Sequence, residues 1–221
     1  MALADAGAQI GVHFHTSESD AEQTVRLIRE RGAEAQAFRA DLSDASEIEE
    51  LIRSATHTFG GLGILVNSAS IFEPTPWPLE DAAWVRHLEI NLTAPMRLIR
   101  AATPHLRVSR GAVVNIIDAS WRQPTWKHHS AYCISKSALA ALTQNLSHVL
   151  APEVRINGVA PGVIDMPQPA SFTAHEQAAS LTSTPQGRFA APEEVAGTVL
   201  AMLRNDYITG EIINVDGGRS I

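Results

Sequence analysis

Apolar residues along this chain come in short continuous runs that alternate with longer stretches of helical spacing. The runs at 8–14, 35–40, 62–66, 112–117, 154–159 and 211–215 are too short for helices and are bounded by Gly, Pro, Asn or Asp, which marks them as strands. Val25, Leu27 and Ile28 predict a helix over 19–31 that stops at Gly32. Ile48, Leu51 and Ile52 predict a second, opened by Ser43-Asp44 with Glu47 at capping-box spacing and ended near Gly60-Gly61. A long helical stretch follows over 81–106, interrupted near Pro95. Another spans 130–150, and a last one opens at Pro192, where proline is tolerated near a helix start. Segment 165–187 has no readable pattern.

Strict alternation of strand and helix predicts an α/β fold, because parallel strands need crossover connections that place helices on both faces of the sheet. The run at 62–66 is continuously apolar, as for a strand covered on both sides. No linker, repeat or low-complexity tract divides the 221 residues, so residues 1–221 form a single domain.

A net charge of −7 without long blocks of one sign argues against nucleic acid as a partner and for a small molecule. No run reaches the length of a membrane span and no leader pattern precedes the first strand, so a cytoplasmic location and no membrane partner are expected. Cys133 is the only cysteine, which excludes an internal disulfide and leaves it as a small apolar filler. His13/His15 and His128/His129 lack acidic or thiol partners at a usual zinc spacing, so no metal is expected.

In sheets of this kind ligands bind beyond the carboxyl ends of the strands. Those ends carry Thr16-Ser17, Asp41-Leu42, Asn67-Ser68-Ala69-Ser70, Asp118-Ala119-Ser120 and Pro161-Gly162. On the helix over 130–150, Tyr132 and Lys136 stand four apart and share a face. A cation beside a phenol lowers its pKa from about 10 toward the working range, so the pair can protonate an alkoxide as hydride arrives.

This set of residues resembles the short-chain dehydrogenase/reductase family over nearly the whole chain. The resemblance implies a Rossmann-like doubly wound sheet and a nicotinamide cofactor. It places Asn67, Ser68, Ala69 and Ser70 around the cofactor, Asp41 and Leu42 at the adenine, and Pro161, Gly162 and Val163 against the nicotinamide. Tyr132 and Lys136 touch the cofactor as well as the substrate, and Asn91 serves a proton-relay water. His15 and Ser17 occupy the turn that reads the adenosine 2′-phosphate, which points to NADPH. NADH stays possible, because Thr16 stands where several members have arginine. Family members form homotetramers through the helices over 81–106 and 130–150, and the same is expected here.

A narrower resemblance, to pteridine and dihydromonapterin reductases, rests on three stretches. These are Asn67-Ser-Ala-Ser-Ile-Phe-Glu-Pro-Thr-Pro76, the Asp118 after Val-Asn-Ile-Ile, and Leu150-Ala-Pro-Glu-Val-Arg-Ile-Asn-Gly-Val-Ala-Pro-Gly162. The broad family has serine where Asp118 stands. A carboxyl group beside Tyr132 can pass a proton to a ring nitrogen while hydride adds to the adjacent carbon. The resemblance implies that Phe72 stacks on the pterin, that Ser70 touches both ligands, and that the substrate is a dihydropterin or a dihydrofolate-like heterocycle. Ser120 keeps a ketone or 3-oxoacyl substrate open.

The family begins with a strand, a Thr-Gly-x-x-x-Gly-x-Gly turn and a helix whose N-terminus carries the pyrophosphate. Met1-Ala-Leu-Ala-Asp-Ala-Gly-Ala looks like the second half of that helix, and no glycine-rich turn precedes residue 8. The expectation is an N-terminally truncated domain whose first strand is absent, leaving the neighbouring strand edges unpaired. The other reading is a natural remnant that keeps the fold without holding cofactor or catalysing.

Overall fold

The computed structural model describes residues 1–122, 126–167 and 172–221. Among them the chain runs α1 (Ala2–Asp5), β1 (Ile10–Phe14), α2 (Glu18–Glu30), β2 (Ala35–Arg39), α3 (Ala45–Phe59) and β3 (Ile64–Asn67). It continues with α4 (Asp81–Leu88), α5 (Ala94–Ser109), β4 (Ala112–Ile116), α6 (Ser130–Leu150), β5 (Arg155–Pro161), α7 (Ala174–Thr182), α8 (Pro192–Arg204) and β6 (Ile212–Val215). Every strand pair is parallel. Strand and helix alternate as the apolar pattern requires, with helices on both faces. No helix among the described residues is long and apolar enough to cross a membrane.

Consecutive side chains on β4 enter different cores. Val113 packs with α3 and α5 through Ile52, Leu98, Ala102 and Leu106, while Val114 packs under α8 with Val159, Val199 and Met202. Burial on both faces is why the strand reads as an unbroken apolar run.

The sheet is in two pieces. β1 pairs with β2, and β3, β4, β5 and β6 form a four-stranded sheet in that order. Residues of β1 (Ile10, Gly11, His13) and of β3 (Ile64, Leu65, Val66, Asn67) line a shared cavity of about 410 Å³, walled mostly by apolar side chains such as Phe38, Leu51, Ile52 and Phe59. The facing edges have no partner strand among the described residues, and the helix ahead of β1 is a single four-residue turn. This is the arrangement expected for a sheet lacking one inner strand.

Several sequence expectations are refined or corrected. The break expected near Pro95 is there: a π-helical turn at Glu89–Thr93 separates α4 from α5, and Pro95 itself sits in the first turn of α5, where its missing N–H costs nothing. The capping box of α3 is half formed. Asp44 accepts from the N–H groups of Ser46 and Glu47, whereas the Glu47 carboxylate accepts from the Asp41 N–H instead of the cap residue. Segment 165–187 contains α7, opened by a complete Thr173/Glu176 capping box, and residues 168–171 of that segment lie outside the described residues. The Thr-x-x-Glu spacing was the available signal.

Candidate active site

The carboxyl ends of β3, β4 and β5 meet the first turns of α6. Tyr132, 7% exposed, donates from its hydroxyl to Asp118 Oδ2 at 2.9 Å. The other carboxylate oxygen of Asp118 accepts from the Ser120 N–H at 2.7 Å, capping the short 3-10 turn Ala119–Trp121. Burial, the Asp118 charge and the hydrogen bond to it, in that order, hold the phenol well above the usual tyrosine range.

Lys136 shares the helix face, 3% exposed, yet its ammonium donates to the Ile116 carbonyl at 2.8 Å and lies 5.8 Å from the centroid of the Tyr132 ring. Burial brings its pKa down to about 8, partly offset by Asp118. The expected acidification of Tyr132 by Lys136 is therefore not what this structure shows. Burial and the Asp118 carboxylate raise the phenol's pKa instead.

Asn91, 1% exposed, is placed inward by the π-helical turn and its side chain is fully committed. Oδ1 accepts from Ile71 N–H (2.8 Å) and Ser70 Oγ (3.2 Å), and Nδ2 donates to the Ile71 carbonyl and Ser135 Oγ (both 3.0 Å). It clamps the loop after β3 to α6, and a relay water would have to use its backbone. Phe72 stacks face to face on His129 at 4.1 Å and meets Tyr132 edge-wise at 4.7 Å. Trp126 touches both Phe72 and Phe172, and the Arg219 guanidinium lies over the Trp126 ring at 4.7 Å. Trp126, Phe172 and Arg219 were not singled out from sequence, and His129 was weighed only as a metal ligand, because all four stand away from the strand ends and carry no spacing signal.

Beneath the site a buried polar ladder crosses the sheet: Asn67 Nδ2 donates to Asn115 Oδ1, and Asn115 Nδ2 donates to Thr143 Oγ1, each at 2.8 Å. Three buried polar atoms have no nitrogen or oxygen partner among the described residues: Asn67 Oδ1, Ser120 Oγ and His129 Nε2. The Cys133 thiol is the neighbour of Ser120, and burial pushes its pKa up. Native proteins rarely leave such atoms unpaired, which leaves each of the three open to a water or a ligand atom.

Of the remaining expected residues, Gly162 lines a pocket with Asp118 and Ser120, and the others lie along the neighbouring strand ends. Pro161 is buried, and Gly162 packs so closely on the chain at Asp216 that a Cβ would stand 2.9 Å from Asp216 Cα. Val163 pairs through its carbonyl with the Ala190 N–H. Ser68 and Ala69 are exposed on the rim of the cavity between the sheets. His15 lies 3.7 Å from Asp41, whose carboxylate is held below its ordinary range chiefly by the backbone and side chain of Ser43. The Ser17 hydroxyl makes no capping bond at the start of α2. The Leu42 side chain belongs to the core with Ile48 and Ile52, leaving only its backbone for a cofactor.

The sheet order, the carboxyl-end site and the Tyr-Lys helix define a class, and comparison with known proteins agrees. A family model described as enoyl-(acyl carrier protein) reductase matches residues 1–220, and the chain belongs to the short-chain dehydrogenase/reductase family of NAD(P)-dependent oxidoreductases. It is similar to 3beta-hydroxysteroid dehydrogenase 1 of Eggerthella lenta, with 32% identity over 97% of this chain and 85% of that protein. It is also similar to a 3-oxoacyl-(acyl-carrier-protein) reductase of Staphylococcus aureus, with 32% identity over 98% of this chain and 89% of that one. Among solved structures it resembles a Serratia marcescens short-chain dehydrogenase/reductase double mutant (TM-score 0.92, 28% identity, 99% of this chain and 90% of that one). A blue fluorescent protein from a metagenomic library, solved with NADPH, matches at TM-score 0.92 and 26% identity, over 100% of this chain and 91% of that one. None of these four is a pteridine reductase, so the narrower resemblance is a matter for proposal.

Proposed function

We propose that this chain is an NADPH-dependent reductase of a dihydropterin or a dihydrofolate-like nitrogen heterocycle. The observation that carries the reading is the 2.9 Å hydrogen bond from Tyr132 to Asp118, which makes one acid pair out of a phenol and a carboxylate. Such a pair can deliver a proton to a ring nitrogen while hydride adds to the adjacent carbon.

The residues present fit one end of the cofactor. The orphaned Asn67 Oδ1, the buried Lys136 ammonium and the Gly162 turn suit a nicotinamide riboside, and His15 with the Ser17 hydroxyl suits a 2′-phosphate. NADPH when bound supplies hydride. Tyr132 holds the proton at its hydroxyl, Asp118 orients it and shares it, and Lys136 is the cation near enough to leave the Ile116 carbonyl and offset the phenolate. Phe72, backed by His129, forms a flat wall for the ring. Val85 on α4, Val108 on α5 and Ile134 and Val149 on α6 are exposed apolar residues, which supports assembly through these helices into a homotetramer.

Ser120 favours a second reading. Its hydroxyl is buried without an oxygen or nitrogen partner beside Asp118, and it would bond a carbonyl oxygen in a ketone or 3-oxoacyl substrate. Turnover of dihydrobiopterin and of a β-ketoester, each with NADPH and with NADH, separates the two. Dihydrobiopterin reduction with NADPH is expected; reduction of the ketoester alone would replace the first reading by the second.

A further inference from the structure

Helix α6 starts without a cap of its own: His129 stands at the N-cap position and its side chain makes no capping bond. First-turn N–H groups of a helix need an outside acceptor. For Ala131 that acceptor is Thr75 Oγ1, at 3.1 Å and 56 residues upstream in the proline-rich loop. Thr75 is 2% exposed, its own N–H donates to the His128 carbonyl, and it forms a parallel β-bridge with His129. The other end of the same loop is fastened by Asn91, which ties Ser70 and Ile71 to Ser135. Phe72 therefore lies between two staples that hold α6 just before and just after Tyr132.

We propose that Thr75 is a positioning residue: a remote N-cap that locks the substrate loop to the catalytic helix and sets the spacing between Phe72 and Tyr132. The joint itself stands on geometry; its effect on substrate selection rests on the function proposed above. Valine in place of Thr75 keeps the shape and removes the acceptor, so the Ala131 N–H loses its partner and the start of α6 opens to water. Serine keeps the acceptor and should keep the joint.

The chain has two tyrosines, and the other, Tyr207, is fully exposed, so in a Tyr207→Phe background an absorbance titration of the phenol reads Tyr132 alone. Thr75→Val is expected to bring the Tyr132 midpoint down by about one unit toward the ordinary tyrosine value as water reaches the ring. It should also speed amide exchange at Ala131 about tenfold while Leu139, two turns on, keeps its rate. Thr75→Ser should match the parent in both. Equal shifts in the two variants, or no shift in either, would overturn the proposal. If Thr75→Val does not fold, the unaltered chain still decides, because an Ala131 amide exchanging as fast as an uncapped first-turn N–H contradicts the cap. None of these readouts needs turnover, so their outcome is separate from that of the substrate assay. Where turnover is present, Thr75→Val should raise KM for the heterocycle more than it lowers kcat.

Discussion

The two sides of β3 are built on opposite terms. Toward β4 and α6, polar side chains are buried in chains of partners, from Asn67 through Asn115 to Thr143 and from Ser70 through Asn91 to Ser135. Toward β1, the backbone edge of β3 faces an apolar cavity and has no strand to pair with among the described residues. The first side depends only on groups the chain itself supplies, so the hydrogen bonds around Tyr132 are preorganised. The second is walled by apolar side chains, and Ser68 and Ala69 stand on its rim. The proposed proton donor therefore belongs to the closed side, while the proposed cofactor contacts straddle both.

The sharpest way to probe the preorganised side is Tyr132→Phe. In whichever form of the protein turns over, kcat should fall by about 10²–10⁴ with the fold retained; a loss under tenfold, measured by steady-state kinetics, would move the proton donor elsewhere. Lys136 comes next. Its pKa of about 8 in the folded chain lies below the ordinary 10.5, so the cost of burying the charge is present in full below pH 8 and is relieved as pH rises from 8 toward 10.5. Urea melts should therefore show the parent gaining up to about 3 kcal/mol across that window relative to Lys136→Met. Above the ordinary tyrosine pKa the unfolded chain releases the Tyr132 proton before the folded one does, which lowers the stability of parent and variant alike and leaves their difference unchanged.

On the open side, fusing an apolar β-strand and a glycine-rich turn ahead of Met1 should fill the groove. Burial of five apolar residues less their ordering entropy gives about 2 kcal/mol, or about 4–8 °C in Tm. NADPH affinity by calorimetry should rise with it, and a fusion with unchanged Tm and affinity would show that the gap is not a strand site. An effect of comparable size is expected where the two sides meet. Asn67→Ala leaves Asn115 Oδ1 unpaired and should cost about 1–3 kcal/mol by thermal melt, with the same cost in the fused form.

Much of the fold was legible because strands covered on both faces read as unbroken apolar runs, as at Val113 and Val114. Tyr132, Lys136 and Asp118 could be found because helix periodicity and strand-end position locate them. What could not be read was direction. Spacing puts Lys136 beside Tyr132 but does not say that its ammonium turns to the Ile116 carbonyl, a choice made by burial and by Asp118. Nor does local sequence show Thr75 capping a helix far downstream, since that contact exists only once β3 and β4 are side by side.

The unpaired edges of β1 and β3 also bear on the life of the molecule outside any assay. A strand edge without a partner is a template for a segment of another chain, and here two such edges open into one groove. In the cell a fraction of the chain is then expected to be drawn off by chaperones before it reaches the folded pool. Its steady-state abundance, followed by pulse-chase labelling, should then be the quantity most sensitive to whether that groove is filled.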